Sequence, residues 1–202
     1  MDKYVKIYGS NLRILELKGD IIMIGPTMQD AINNQIRAEI YSANLYLSMS
    51  AYCEAKGLKG FASWLRVQYQ EETFHALKLF DYLKGRGGNV RMLDIPAPPQ
   101  EFGTPLQVFE EVLKHEEHVT SLINELYELS IAEKDFAAQI FLQWYVNEQV
   151  EEEANATDIL AKLNVIGNNS EALLYLDKEL STRVFVPPGT NANANIGTNA
   201  NP

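Results

Sequence analysis

The chain has 202 residues, of which 46 % are apolar, so it is long enough for one globular domain with a substantial core. Its 17 basic and 27 acidic residues give a net charge of −10, which argues against a nucleic-acid partner, because such partners are bound by neutralising phosphates with Lys and Arg. A single cysteine, Cys53, excludes an intramolecular disulfide and favours a reducing, cytoplasmic setting, and no apolar run has the length of a membrane span.

Residues 1–26 differ from the rest of the chain, because they show short β-like alternations around a Gly-Asp turn. We expect this segment to be disordered. The apolar period then becomes helical, and Thr27, with Asp30 three residues later, is the expected N-cap of the first helix. The pattern predicts a first helix over about residues 28–54 and a second over about residues 61–84.

The second half of the chain opens with a proline-rich connection over residues 89–103. A third helix, over about residues 104–132, begins with a Thr-Pro pair, an N-cap followed by proline at the first helical position. A fourth helix is predicted over about residues 135–163 and a short fifth over about 170–181. The low-complexity, Asn-rich residues 187–202 are expected to be disordered.

The lengths of the connections predict how these helices lie. The first and second helices are joined by a few residues, as are the third and fourth, so each pair must be antiparallel neighbours. The proline-rich connection is much longer, and at about 3.3 Å per extended residue it can run the full length of the bundle. The sequence therefore predicts an all-α four-helix bundle with one long crossover between helices 2 and 3 and a short fifth C-terminal helix.

A duplicated pattern of polar residues interrupts the apolar stripes of the four long helices. Two sets share the spacings 33 and 3, and the second set is the first displaced by 77 residues. One carboxylate from each helix is therefore expected to point at the bundle axis near mid-length. The first set is Glu39, Glu72 and His75, and the second is Glu116, Gln149 and Glu152.

Four axial carboxylates need compensation, because a bare ion buried in a protein costs several kcal/mol. Protonation would remove some of the charge, since crowded carboxylates raise one another's pKa. Two divalent cations are the simpler solution, because their four positive charges match four carboxylates. Many oxygens and one imidazole suit iron or manganese better than structural zinc.

Several further residues have two interpretations each. Tyr46 is either a core residue or a hydrogen-bond donor to a ligand carboxylate. His115 and His118 lie off the apolar face and are expected in solvent or at a subunit contact. Three glutamates next to the axial positions form either a solvated acidic flank or an auxiliary cation site, and they are Glu71, Glu148 and Glu151.

With these residues in place, the sequence resembles the haem-free ferritins of bacteria and archaea over about residues 27–186. The resemblance is carried by the motifs NQIRAEIYSANLYLSMS, QEETFHALKLFDYL, LKHEEHVT, FLQWYVNEQVEEE and LYLDKELS. It implies a ferritin-like diiron domain over residues 27–186, preceded by an extension, residues 1–26, that does not match the family. Inward-facing carboxylates and Glu-x-x-His motifs are a known property of that class of bundle.

The resemblance also implies roles for individual residues. Glu39, Glu72 and His75 would hold a first iron, with Glu72 bridging to a second. Gln149 would stay near the centre without a charge, and Tyr46 would lie beside it. The second iron would be held by Glu116 and Glu152, and a third iron by Glu71, Glu148 and Glu151 together with Glu152.

The implied activity is that of a cytoplasmic iron-storage ferroxidase. It would oxidise Fe(II) to Fe(III) with O₂ or H₂O₂ and mineralise the product inside a hollow homo-oligomeric shell, typically of twenty-four subunits. No haem is expected, because Gln149 replaces the glutamate of a second Glu-x-x-His motif and Thr73 replaces the haem-ligating methionine of the haem-containing branch. Two rivals are a diiron oxidase or peroxidase that does not store iron and a purely structural bundle with a hydrogen-bonded carboxylate core.

Overall fold

Five α-helices and no β-strand make up the part of the chain that the computed structural model describes, residues 24–187. The helices are α1 (Pro26–Ala55), α2 (Lys59–Gly85), α3 (Pro105–Ala132), α4 (Phe136–Ile166) and α5 (Ser170–Leu180). The prediction of an all-α fold is confirmed. The disorder predicted for the termini concerns mainly residues 1–23 and 188–202, which lie outside the described part. Among the helices just given, none combines the length and apolarity needed to cross a membrane.

The start of α1 differs from the prediction. The helix begins at Pro26, with Gly25 as N-cap and no side-chain cap, so the prediction of Thr27 as N-cap is wrong. Proline occupies the first helical position readily, since its φ is fixed near the helical value and its missing N–H would have no helical partner there. Asp30 does not cap the helix but pairs with Arg91 of the crossover at 2.6 Å.

The starts of α3 and α4 agree with the prediction. The Thr104 hydroxyl accepts a hydrogen bond from the backbone N–H of Gln107, while the Gln107 side chain accepts one from the backbone N–H of Thr104, forming a capping box. Asp135 caps α4 by accepting from the backbone N–H of Ala138 at 3.0 Å. The same carboxylate pairs with Arg86 at 3.0 Å and so ties the end of α2 to the start of α4.

The crossover between α2 and α3 runs along α1. At one end the backbone N–H of Arg91 donates to the Asn33 side chain at 2.7 Å. At the other end the Tyr52 hydroxyl donates to the Gly103 carbonyl at 2.9 Å. Asn33 and Tyr52 lie near opposite ends of α1, so the connection spans most of the bundle, as its length predicts.

The apolar core consists of two clusters at the two ends of the bundle. One cluster contains Tyr46, Phe61, Trp64 and Phe109, and it extends to Leu176 of α5. The other cluster lies towards the start of α1 and the end of α2, and its members include Ile24, Met28, Ile32, Leu79, Leu83, Ile123 and Leu142. On each long helix one buried glutamate lies between these clusters along the sequence, and the four are Glu39, Glu72, Glu116 and Glu152. A polar layer therefore crosses the bundle near mid-length.

A close approach between α5 and the start of α2 fixes the position of α5. Asp177 of α5 accepts from the backbone N–H groups of Gly60 and Phe61 at 2.8 and 3.0 Å. These N–H groups belong to the first turn of α2, where a helix has no internal acceptors, so Asp177 caps α2 from a distant part of the chain. A Cβ atom at Gly60 would lie 1.5 Å from the Asp177 carbonyl oxygen, so only glycine allows this contact.

Replacing Gly60 with alanine should therefore push α5 away from α2 and lower the free energy of unfolding by about 1–3 kcal/mol, as overpacking does in tight sites. Denaturant unfolding followed by circular dichroism would measure the loss. Gly85→Ala is the matched control on the same helix, because nothing lies within 4 Å of its added Cβ. Equal stabilities for the two variants would contradict the packing argument.

Candidate metal centre

One glutamate from each long helix is buried in the polar layer. Glu39 of α1, Glu72 of α2, Glu116 of α3 and Glu152 of α4 are each no more than 5 % exposed. The helical period places them there, because each lies on the apolar stripe of its helix. None of the four forms an ion pair with a lysine or arginine within the described residues.

Half of the centre is built from α1 and α2. Ligand atoms of Glu39, Glu72 and His75 all lie within 4.8 Å of one another. The Nδ1 atom of His75 is 3.5 Å from Oε2 of Glu72. Gln35 donates to Oε1 of Glu39 at 2.9 Å, but Oε2 of Glu39 and Oε2 of Glu72 are buried without a hydrogen-bond partner.

The other half is built from α3 and α4 and is held by neutral donors. The Tyr46 hydroxyl donates to Oε1 of Glu116, and the Gln149 amide donates to Oε2 of the same carboxylate at 3.2 Å. Gln68 donates to Oε2 of Glu152 at 2.9 Å. Glu116 therefore faces Tyr46 and Gln149, and it is not among the residues whose ligand atoms cluster within 4.8 Å.

Burial and mutual repulsion set the protonation of these groups when no cation is bound. Burial, followed by repulsion from Glu116 and Glu39, raises the pKa of Glu72 well above its usual range. Burial and repulsion from Glu152 likewise raise the pKa of Glu116 to about 8, although its hydrogen-bond donors act in the opposite direction. Burial lowers the pKa of His75, so its imidazole is neutral and available as a ligand near pH 7.

These residues fit a divalent cation. An unsatisfied buried polar atom costs about 1–3 kcal/mol, and more when it is charged, so the unpartnered oxygens of Glu39 and Glu72 need a partner. Both are hard oxygen donors, and the neutral nitrogen of His75 lies beside them. Carboxylate oxygens with an imidazole form a donor set suited to iron or manganese.

A second group of ligand atoms lies next to the first. Atoms of His75, Glu148 and Glu152 are within 4.8 Å of one another, and Glu148 is half-buried. Burial, followed by repulsion from Glu151 and Glu152, raises the pKa of Glu148. One of the three flank glutamates therefore reaches the centre, whereas Glu151 is exposed.

Glu71, the third flank glutamate, has a partner of its own. Arg183, which follows α5, donates to Oε2 of Glu71 at 2.6 Å. Burial raises the pKa of Glu71 to about 7, with Arg183 acting against this rise and Glu152 and Glu148 adding to it. The auxiliary iron site predicted from Glu71, Glu148 and Glu151 stays a prediction.

The surroundings of the centre clarify the residues with two interpretations. Tyr46 is fully buried in the core, and its hydroxyl also donates to Glu116, while the role of Glu116 as a metal ligand stays a prediction. His115 is half-buried and lies 2.8 Å from the Ser42 hydroxyl, which differs from the expected solvated position. Burial, followed by the neighbouring His118, lowers the pKa of His115 to about 4. His118 is exposed, as expected.

Three residues that contribute to the centre were missed in the sequence. Gln35 and Gln68 each lie four residues before an axial glutamate, so a polar residue on the apolar stripe was the available signal. Arg183 gave no signal, because it is separated from Glu71 by 112 residues and lies beyond the last helix.

The fold and the site together define a four-helix bundle with a carboxylate–histidine centre at mid-length. Residues 29–166 match the ferritin-like domain family. The chain belongs to this family, since the match covers more than half of its length and relatives are more than 30 % identical over their full length.

The relatives include bacterial proteins and solved archaeal structures. The chain is 47 % identical over 161 residues to a bacterial non-haem ferritin of Bacteroides fragilis, covering 80 % of this chain and 100 % of that protein. It is 41 % identical over 160 residues to a bacterial non-haem ferritin of Escherichia coli, covering 79 % and 97 %. An open-pore ferritin from the hyperthermophilic archaeon Archaeoglobus fulgidus superposes with a TM-score of 0.80 at 55 % identity, covering 81 % of this chain and 100 % of that one.

Proposed function

We propose that this protein stores iron and oxidises Fe(II) to Fe(III) at a diiron centre inside each subunit. Membership of the ferritin family supports iron storage. The observation that carries the oxidation site is the pair of buried, unpartnered oxygens on Glu39 and Glu72 beside Nδ1 of His75. No protein cation within residues 24–187 pairs with either carboxylate, so a metal substrate is the partner that the site requires.

Iron is the substrate of this site. Glu39, Glu72 and His75 hold the first Fe(II), while Glu116 and Glu152 hold the second with Glu72 between the two ions. Two Fe(II) ions supply the two electrons that, with two protons, reduce O₂ to H₂O₂ or H₂O₂ to two water molecules. Hard, anionic carboxylates bind Fe(III) more strongly than Fe(II), so they lower the reduction potential of the bound iron and favour its oxidation.

The neutral donors around the second half of the site prepare it for this substrate. Gln149 and Tyr46 bond the oxygens of Glu116, and Gln68 bonds Glu152, so both carboxylates are oriented before iron arrives. Because these donors carry no charge, they do not repel an incoming cation. Glu71, Glu148 and Glu151, with Glu152, form an additional iron site on the flank of the centre.

The oxidised iron is stored in the cavity of a hollow homo-oligomeric shell, which we propose has twenty-four subunits and resides in the cytoplasm. The exposed apolar surface around α5 supports self-association, because Val165 is 89 % exposed, Leu174 64 % and Tyr175 80 %. These residues lie beside a groove between the end of α4 and α5 that Val165, Tyr175 and Leu176 line.

Aerobic addition of Fe(II), followed by ferric absorbance and by sizing of the product, tests the proposal. Storage predicts rapid oxidation and hundreds of irons retained per assembly. Retention of about two irons per chain would favour a diiron oxidase or peroxidase that does not store iron. If Fe(II) were oxidised no faster than in buffer alone, the interpretation of the protein as a purely structural helical bundle would remain.

A further inference from the structure

The segment that follows α5, residues 181–187, crosses α2 next to the metal centre. We call it the C-terminal strap. The Arg183 guanidinium lies over the Trp64 ring, 4.4 Å from its centroid, and the Phe185 ring lies 6.1 Å from the Phe74 ring. These contacts hold the strap on the face of α2 that carries Glu71.

Arg183 is connected to the metal centre through one amide. Its Nη1 donates to Oε1 of Gln68, and Gln68 donates through Nε2 to Oε2 of Glu152. Since a guanidinium has only donors, it fixes the amide with its oxygen towards Arg183 and its NH₂ towards Glu152. Arg183 therefore orients a carboxylate of the centre without touching it.

The same guanidinium also places a positive charge on the acidic flank. Its Nη2 donates to Oε2 of Glu71 at 2.6 Å, and Glu71 interacts with both Glu152 and Glu148. The charge cannot be removed by deprotonation, because an arginine stays charged at all ordinary pH values. A cation that uses Oε2 of Glu71 as a ligand therefore competes with Arg183 for that oxygen.

We propose that Arg183 is a tethered cation that occupies the Glu71 side of the acidic flank and sets how readily a third metal ion binds there. This inference rests on the proposed function, in which the flank forms an additional iron site beside the diiron centre. Arg183 is a positioning residue, since it acts on Glu152 through Gln68 and on the third ion by competing for Glu71. When a metal ion takes Oε2 of Glu71, the ion pair with Arg183 breaks and Gln68 loses its fixed orientation.

The position of Arg183 makes this exchange physically accessible. The side chains of Arg183 and Glu71 are 21 % and 20 % exposed, whereas the axial carboxylates are almost fully buried. Residues 183–187 of the strap have no regular secondary structure, so the arginine can move away without breaking a helix. Water can solvate the displaced guanidinium at this edge of the bundle.

Zn(II) titration by isothermal calorimetry tests the proposal without a redox reaction. In Arg183→Met the third Zn(II) should bind about tenfold more tightly than in the wild type, a factor expected from removing one charge-assisted hydrogen bond that competes with the metal. The first ion, held by Glu39, Glu72 and His75, should bind with little change, whereas the second should bind more weakly because its ligand Glu152 loses the orientation that Arg183 gives through Gln68. Arg66→Met is the matched control, because Arg66 is exposed on the same helix as Glu71 and its loss changes the net charge equally.

Two further variants separate the charge of Arg183 from its role in folding. Arg183→Lys keeps a cation near Glu71 but lacks the fork that reaches both Glu71 and Gln68, so weak third-ion binding should be retained. Adding Glu71→Gln to Arg183→Met should abolish the gain, since the ligand freed by the first change is gone. A gain that persists in this double variant would overturn the competition for Glu71.

Fluorescence of Trp64 follows the movement of Arg183 directly. The chain has two tryptophans, so Trp144→Phe leaves Trp64 as the single reporter under the guanidinium. Its emission should change as the third Zn(II) binds, and this change should be absent when Arg183→Met is added. If the Trp64 emission did not change when the third Zn(II) binds, the proposal would be overturned, even if Arg183→Met alone proved unstable.

The outcomes also distinguish this inference from the proposed function. Failure of the wild type to bind two tight Zn(II) ions would contradict the diiron centre itself. Two tight ions together with a third whose affinity is the same in the wild type, Arg183→Met and Arg66→Met would overturn only the role of Arg183.

Discussion

Replacing Glu72 with glutamine should stabilise the iron-free protein and at the same time abolish its rapid oxidation of Fe(II). Oε2 of Glu72 is buried without a partner beside the equally unpartnered Oε2 of Glu39. A neutral amide avoids the cost of keeping this buried carboxyl protonated at a raised pKa and supplies a donor, so the free energy of unfolding should rise by about 1–3 kcal/mol near pH 7. The oxidation rate should fall about a hundredfold or more, because the residue shared by both irons is lost.

Two measurements on the same protein check this result. Denaturant unfolding in the presence of a chelator gives the stability, and stopped-flow ferric absorbance gives the oxidation rate. Asp81→Asn is the matched control, since Asp81 is exposed on the same helix and the change removes the same charge. A Glu72→Gln variant that is less stable than the wild type would show that the carboxylate layer is held by hydrogen bonds alone, as the structural bundle requires.

The second large effect is a loss of stability that should leave metal binding unchanged. Phe109 of α3 is fully buried, with ring centroids 5.8 Å from Phe61 and 5.1 Å from Trp64 of α2. Phe109→Ala should lower the free energy of unfolding by about 3–5 kcal/mol, because it removes the packing between the two helical hairpins and leaves a cavity. The number of tight Zn(II) sites should stay the same, since Phe109 contacts none of the ligands.

Denaturant unfolding and calorimetric titration of the folded variant test this expectation. Phe109→Leu is the matched control, because it keeps most of the apolar volume. It should lower the free energy of unfolding by less than half as much as Phe109→Ala. If Phe109→Ala kept wild-type stability, the interface between α2 and α3 would be packed differently. If it lost the tight metal sites while still folded, the centre would depend on this cluster.

The two variants should move stability and metal binding in opposite ways. Glu72→Gln gains stability and loses metal, whereas Phe109→Ala loses stability and keeps metal. This opposition follows from the layered core, in which two apolar clusters stabilise the bundle and the polar layer between them costs stability until a cation binds. If the polar layer stabilised the bundle in the same way as the apolar clusters, both variants would be less stable than the wild type.

Assembly of the proposed shell depends on surfaces that the single chain leaves exposed. The last turn of α4 exposes Val165, and α5 exposes Leu174 and Tyr175. The capping of α2 by Asp177 fixes the direction of α5 and therefore of this apolar surface. Gly60→Ala should accordingly disturb assembly as well as stability, which size-exclusion chromatography of the folded variant would reveal.

Much of the fold and of the candidate site could be predicted from the helical period of the sequence. A spacing of three or four residues places side chains on one face of a helix, so Glu39, Glu72, Glu116 and Glu152 could be assigned to the axis without coordinates. Connection lengths then limited the arrangement to two hairpins with one crossover. The start of α1 differs from the expectation, because the helix begins with proline at its first position and Gly25 as N-cap, and Thr27 lies inside the helix.

Contacts between distant segments could not be obtained in this way. Arg183 meets Glu71 across 112 residues, and Asp177 meets Gly60 across 117 residues. No local period relates such pairs, because their separation depends on the angle at which α5 packs and on the path of the strap after it. The sequence by itself determined which glutamates face the axis and how the helices connect. Tertiary packing decided which carboxylate each neutral donor bonds and which cation pairs with the flank, because both depend on contacts between distant segments.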